Sequence, residues 1–221
     1  MEDFSSLIAE YDLSPYLVEY VSLFVLPLYK EFDSAHNVEH ATTVIKESLK
    51  LSVFYEVDRN MVFTIAAYHD TGQINGRENH NIDSGKIVVK DKRLGEWFTP
   101  AQIEIMKEAV EDHRASIDHE PRSIYGKIVA EADRIIDPIT TLTRAVRFGK
   151  EHFPDYNREQ HLERAFKHVI EKYSTKGYLK LWIPESENAK KLEELRLIID
   201  DKKRLFTILE DIYDKFSFSG R

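Results

Sequence analysis

Apolar residues recur at three- and four-residue intervals along most of the chain, and no alternating run is long enough to nominate a sheet. The periodicity predicts an all-α protein, with helices over roughly 14–30, 37–54, 59–71, 79–91, 100–115, 123–136, 139–151, 158–173 and 187–216. Asp58, Thr99 and Ser123 stand where N-caps are needed, each offering an oxygen to amides that have no partner in the first turn. Two stretches resist the pattern: Gly72 to Arg77 reads as a short polar loop, and Gly177 to Pro184, GYLKLWIP, reads as extended. The most apolar run, Tyr16 to Tyr29, is interrupted by Glu19 and Pro27. It falls short of the ~20 residues of a membrane helix and predicts a buried helix instead. In the last stretch Leu192, Leu195, Ile199, Phe206, Leu209 and Tyr213 form a stripe that Lys202 interrupts, with a bend or break expected near Asp200. Such a stripe packs on its own domain or serves as a homodimer face.

Composition narrows the function classes. A chain of 221 residues with 42% apolar content can bury one sizeable core, so the expectation is one compact bundle with a helical C-terminal extension. The formal charge of −8 argues against polymeric nucleic acid as a partner, since that affinity rests on lysine and arginine displacing counterions. A small anionic substrate needs only local positive charge. With no cysteine, any metal must be held by nitrogen and oxygen ligands. The N-terminus, MEDFSSLIAEYD, is acidic where a secretory leader is basic, so cytoplasmic residence is expected and no membrane association.

The chemistry lies in histidines and aspartates on inward-facing positions. In HNVEH, His36 and His40 are four residues apart and so share a helical face, which Val44 and Leu51 continue. His69 ends a stripe of Val62, Ile65 and Ala66, and Asp70 follows it directly. His80 shares a face with Ser84 and Ile87, and His113 ends the stripe of Ile103, Met106 and Val110. Asp133 lies between Val129 and Ile136 in IVAEADRII, while Arg134 is expected to face elsewhere, because neighbours on a helix diverge by ~100°. Any one of these is ordinary as a core histidine or a capping aspartate. Five helices each delivering such a group to an interior face call for a shared partner, and a divalent cation neutralises buried carboxylates directly.

The elements HNVEHATTVI, AAYHDTGQ and AEADRI, in that order over roughly 33–137, resemble the HD superfamily of metal-dependent phosphohydrolases, which takes its name from a doublet like His69-Asp70. The resemblance implies an HD domain over 33–137, an N-terminal helical segment over 1–32 packed on it, and an extension of the same domain over 138–221. It further implies His40, His69, Asp70 and Asp133 as primary metal ligands, His80 and His113 as the pair that holds a second metal, and Asp70 as the bridge. No glycine-tyrosine-proline motif follows the histidines, so cyclic-dinucleotide cleavage is not expected. Nor does the downstream acidic pair of alarmone hydrolases occur. Gln73 stands where many relatives have lysine. What remains is similar to the small bacterial HD hydrolases, some of which split nucleotides.

Imidazole and carboxylate ligands suit one or two ions of Mn, Fe, Co, Ni or Zn better than calcium or magnesium. A water acidified there would attack a small phosphorylated substrate, a nucleotide first among them. Arg77, Arg114 and Arg122 follow ligand segments and are candidate phosphate clamps, with Arg114, beside His113, the favoured one. His36 is the candidate to protonate the leaving oxygen, or else a hydrogen bonder to a ligand. Two other classes share the ligand set: an HD-fold diiron oxygenase and a non-catalytic regulator that senses a nucleotide.

Overall fold

A computed structural model describes residues 4–33 and 36–218, so residues 1–3 of the expected N-terminal segment lie outside it. No strand forms among the described residues, and Gly177 to Pro184 runs as irregular chain. The chain divides into two compact units, 1–135 with 182–186, and 136–181 with 187–221.

In the first unit α1 (Ser5–Tyr11) and α2 (Pro15–Tyr20) lead into a π-helical turn, Val21–Val25, and a 3-10 turn, Leu26–Glu31. The expected single buried helix over this run is thus replaced by three geometries. Pro27 has no amide hydrogen to continue a regular ladder. One face is buried through Leu17, Val21, Val25 and Tyr29, while Tyr16 and Phe24 are exposed. Helix α1, which the periodicity did not nominate, is only seven residues long and stops at Asp12 in the left-handed region.

The framework for the site is α3 (Val38–Ser52), α4 (Arg59–Tyr68), α5 (His80–Lys90), α6 (Pro100–Glu111) and α7 (Ile124–Arg134). Helix α4 packs against α3, α6 and α7, and every residue from Met61 to Tyr68 is buried. A helix apolar on all sides belongs at the centre of a domain, and its C-terminal end therefore delivers His69 and Asp70 to the interior. The three expected caps all form: Asp58 accepts from Asn60 and Met61 amides, Thr99 makes a capping box with Gln102, and Ser123 accepts from the Gly126 amide. Residues 182–186 join this unit through Glu131, whose fully buried carboxylate accepts from the backbone nitrogens of Trp182 and Ile183.

The second unit contains α8 (Pro138–His152), α9 (Arg158–Tyr173), α10 (Asn188–Asp200) and α11 (Lys202–Phe218). The break near Asp200 is present, and the Asp201 carboxylate accepts from the Arg204 amide at the new helix start. Leu192, Leu195, Ile199 and Leu209 of the predicted stripe are buried within this unit, and Phe206 is partly exposed. Residues 136–181 and 187–221 form a compact unit. No described helix is long and apolar enough to cross a membrane.

Candidate metal centre

Helices α3 to α7 each bring one element of the cluster. Asn37, not His36, is the N-cap of α3, its side chain accepting from the His40 amide at 2.9 Å, so His40 lies in the first turn. His69 and Asp70 leave the C-terminal end of α4, His80 is the first residue of α5, and His113 follows the end of α6. Asp133 is next to last in α7, because Ile135 turns to φ 37° and stops the helix before the expected position 136. Asp70 and Asp133 thus sit at helix C-terminal ends, where the backbone already presents partial negative charge. Both positions favour a cation.

The six side chains form two triads that meet at Asp70. In the first, His40 Nε2 lies 3.2 Å from His69 Nε2 and 3.2 Å from Asp133 Oδ1. Asp70 Oδ2 stands 3.2 Å from His69 Nε2 and 3.6 Å from His40 Nε2. In the second, Asp70 Oδ1 is 3.3 Å from His80 Nε2 and 3.4 Å from His113 Nε2, and those two nitrogens are 3.3 Å apart. One carboxylate therefore turns one oxygen to each histidine pair. The grouped donor atoms of each triad, His40 with His69 and Asp133, and Asp70 with His80 and His113, are close enough together to hold a metal ion.

Tautomer chemistry tests whether a cation fits. The Nδ1–H groups of His69, His80 and His113 donate to the backbone oxygens of Ala66, Arg77 and Val110 at 2.7, 2.9 and 2.6 Å. In neutral rings the Nε2 atoms are then bare lone pairs. His80 and His113 aim two such lone pairs and a carboxylate oxygen at one point with no proton between them. That arrangement repels itself unless a positive charge occupies it. Charge distribution points the same way. Burial works against ionisation of Asp70, but His69 and His113 hold its carboxyl well below the usual range. Burial likewise opposes Asp133, whose carboxyl is nonetheless lowered by His40 first and then by His69 and His113. Burial also opposes protonation of His69, yet Asp70 and Asp133 raise it to about 9. His80 is pushed down to about 4 by burial and by His113.

Tyr29, which the sequence did not reveal, supports the doublet from the 3-10 turn: its fully buried hydroxyl donates to the Ala67 oxygen at 2.9 Å and accepts from the Asp70 amide at 3.2 Å. Gly72 lets α5 approach. A Cβ there would overlap the His80 backbone oxygen and the Ser84 nitrogen, while the Gly72 amide donates to Ser84 Oγ at 2.7 Å. Gly72→Ala is therefore expected to lower stability by at least about 2 kcal/mol and to displace His80, which thermal denaturation alongside metal content would register.

The surrounding candidates fare unequally. His36 lies outside α3, so the shared-face relation to His40 does not hold. The two rings are nevertheless neighbours, with centres 6.0 Å apart, because Asp33 fixes His36 through its Nδ1 at 2.7 Å. Arg77 reaches the other oxygen of Asp33 at 3.5 Å. Arg114 donates to the Glu78 oxygen at 2.7 Å, bracing the approach to α5. Arg122 is engaged by acidic partners: its guanidinium is bound to both oxygens of buried Asp112 and to Glu111 at 2.7 Å. Arg134 does not face away. Its buried guanidinium donates to the His113 oxygen at 2.9 Å and approaches Asp133 Oδ2 at 3.9 Å, since a long side chain at a helix end can curl back where the backbone direction alone points elsewhere. Arg122→Ala should destabilise the fold by about 2–3 kcal/mol, less than a fully buried pair because the arginine is partly exposed. Turnover of the folded protein should stay within a factor of about two, as a denaturation curve with a rate measurement would show.

Residues 35–136 match the family model described as the HD domain, a span that contains all six clustered residues. Among solved structures, the chain is similar to a predicted HD superfamily hydrolase from an uncultured Thermotogales bacterium, with a TM-score of 0.51 and 19% identity. The match covers 77% of this chain and 94% of that one. At that identity the likeness is one of fold. No curated protein matches the chain.

Proposed function

We propose that the chain, whose residues 35–136 match the HD-domain model, is a metal-dependent hydrolase cleaving a small phosphate ester or anhydride, with nucleotides the leading substrate class. The observation that carries this is the convergence of the His80 and His113 lone pairs on one oxygen of Asp70 while the other oxygen faces His40 and His69. One or two divalent transition-metal ions held there would acidify a water and neutralise charge on phosphoryl oxygens. The chain's own contribution is orientation. Carbonyl bonds fix three of the four imidazoles, and Tyr29 holds the Asp70 backbone in place. Arg77, more exposed than any ligand, is suited to meet a phosphate oxygen at the rim, and His36 to exchange a proton with substrate or water. Arg114 takes a bracing role in this scheme.

Phosphate release over a panel of nucleotides and sugar phosphates, run anaerobically with Mn, Fe, Co, Ni, Zn and Mg compared, tests the proposal. Metal-dependent release supports it. Oxygen uptake by iron-loaded protein without phosphate would replace it with the oxygenase, and full metal loading without turnover on any substrate would replace it with the regulator.

A pH dependence of loading follows. With a pKa of about 9 in the metal-free protein, His69 carries a proton at neutral pH that a metal must displace, whereas His80, at about 4, is already neutral. Metal binding near pH 7.5 is expected to release the His69 proton, and affinity to rise with pH until about 9. Calorimetry in buffers of different ionisation enthalpy measures the proton count. Affinity rises with pH because protonation competes with the metal for the same Nε2.

A further inference from the structure

Asp33 precedes α3 and belongs to neither triad, yet its two oxygens hold two residues beside the metal centre. Oδ1 is 2.7 Å from His36 Nδ1 and 3.1 Å from the His36 backbone nitrogen, and Oδ2 is 3.5 Å from Arg77 Nη1. An ionised carboxylate only accepts hydrogen bonds, so Nδ1 of His36 carries the hydrogen. In the neutral ring Nε2 is then an acceptor, the opposite of the tautomer that free imidazole side chains prefer. Asp133 is the most exposed of the six clustered side chains, 23% against 9% or less for the rest, so the centre opens at the edge shared by Asp133 and His40. His36 stands at that edge, its ring at 80° to that of His40.

We infer that Asp33 is a positioning residue: it sets the tautomer and direction of His36 and draws Arg77 to the same edge, so that a substrate phosphate meets an oriented acceptor and a cation together. The effect on turnover rests on the hydrolytic proposal, whereas the tautomer does not. A purely local role is the alternative, because Asp33 also closes a turn: its backbone oxygen and Oδ1 both accept from the His36 amide at 3.1 Å. Serine separates the two roles. Its hydroxyl can replace the carboxylate in such a turn but is too short to reach the imidazole.

The test uses the full chain, zinc-loaded and labelled with 15N-histidine, with the His36 signals assigned by their loss in His36→Gln. Long-range proton–nitrogen spectra of the wild type should show His36 as the Nδ1–H tautomer. Asp33→Ser should move it to the Nε2–H form with bound zinc unchanged, and Asp33→Asn, which keeps an acceptor oxygen, should restore the wild-type form. Turnover of the ester that the wild type hydrolyses best should fall by about 10–100-fold in Asp33→Ser and recover to within about tenfold in Asp33→Asn. An unchanged tautomer in Asp33→Ser, or Asp33→Asn no better than serine in both readouts, overturns the inference. If the wild type releases phosphate from nothing, the hydrolytic proposal fails, and the tautomer comparison still decides what Asp33 does.

Discussion

Replacing Asp70 with alanine is expected to strip the protein of tightly bound transition metal and to reduce turnover by at least about 10³-fold, the loss that follows when several kcal/mol of charge stabilisation disappear. Asp70 is the carboxylate whose two oxygens face the two histidine pairs. Asp70 Oδ2 faces His40 and His69, and Oδ1 faces His80 and His113, all within 3.6 Å. Without it, the second triad keeps two imidazoles and no carboxylate, and the first keeps Asp133 as the sole carboxylate beside His40 and His69. Asp70→Asn is the sharper variant, since it preserves volume and one carbonyl oxygen while removing the charge. Circular dichroism should show native helix content in both, because the carboxylate is surrounded by ligands and not by the packing of α4. Metal content measured beside turnover checks the result. Retention of metal and rate by Asp70→Asn would remove Asp70 from the centre.

The second large effect is expected at His113. Its Nε2 belongs to the triad of Asp70, His80 and His113, while His40, His69 and Asp133 form a triad without it. His113→Ala should therefore lower occupancy from two ions toward one and slow turnover by about 10²-fold or more, because a two-ion centre stabilises both attacking and leaving oxygens. His80→Ala should behave alike. A matched loss in both variants with one ion retained is the signature of separate half-sites. Wild-type metal content and rate in both would make these histidines hydrogen-bonding residues of the core.

Much of this arrangement is legible in the sequence because it depends on short-range periodicity. The inward faces of α3 and α4, the caps Asp58, Thr99 and Ser123, and the break before Lys202 follow from residue spacing and local hydrogen-bonding chemistry. Errors arise where a single residue sets a boundary. Asn37 captures the His40 amide and leaves His36 outside the helix, and Ile135, a β-branched residue at positive φ, ends α7 early in a conformation that spacing cannot anticipate. Helix α4 is buried on every side, so its stripe understated its place in the fold. Arg122 and Arg114 both follow ligand segments in sequence, and the pairing of Arg122 with buried Asp112 is visible only in the fold. Tyr29, Asp33 and Glu131 escaped notice because their value lies in partners brought close by folding. Tyr29 meets Asp70 across 41 residues, and Glu131 meets Trp182 across 51. The resemblance implies the division of the six candidates about a bridging Asp70, and the two oxygens of Asp70 facing the two histidine pairs give it its geometry.

The most direct test of the central claim is the metal stoichiometry of chelator-stripped protein reconstituted with a transition metal and freed of excess. The convergence of bare imidazole nitrogens and carboxylate oxygens on two points either side of Asp70 predicts about two ions per chain. A protein that keeps its native helix content yet binds no ion after reconstitution would contradict the account.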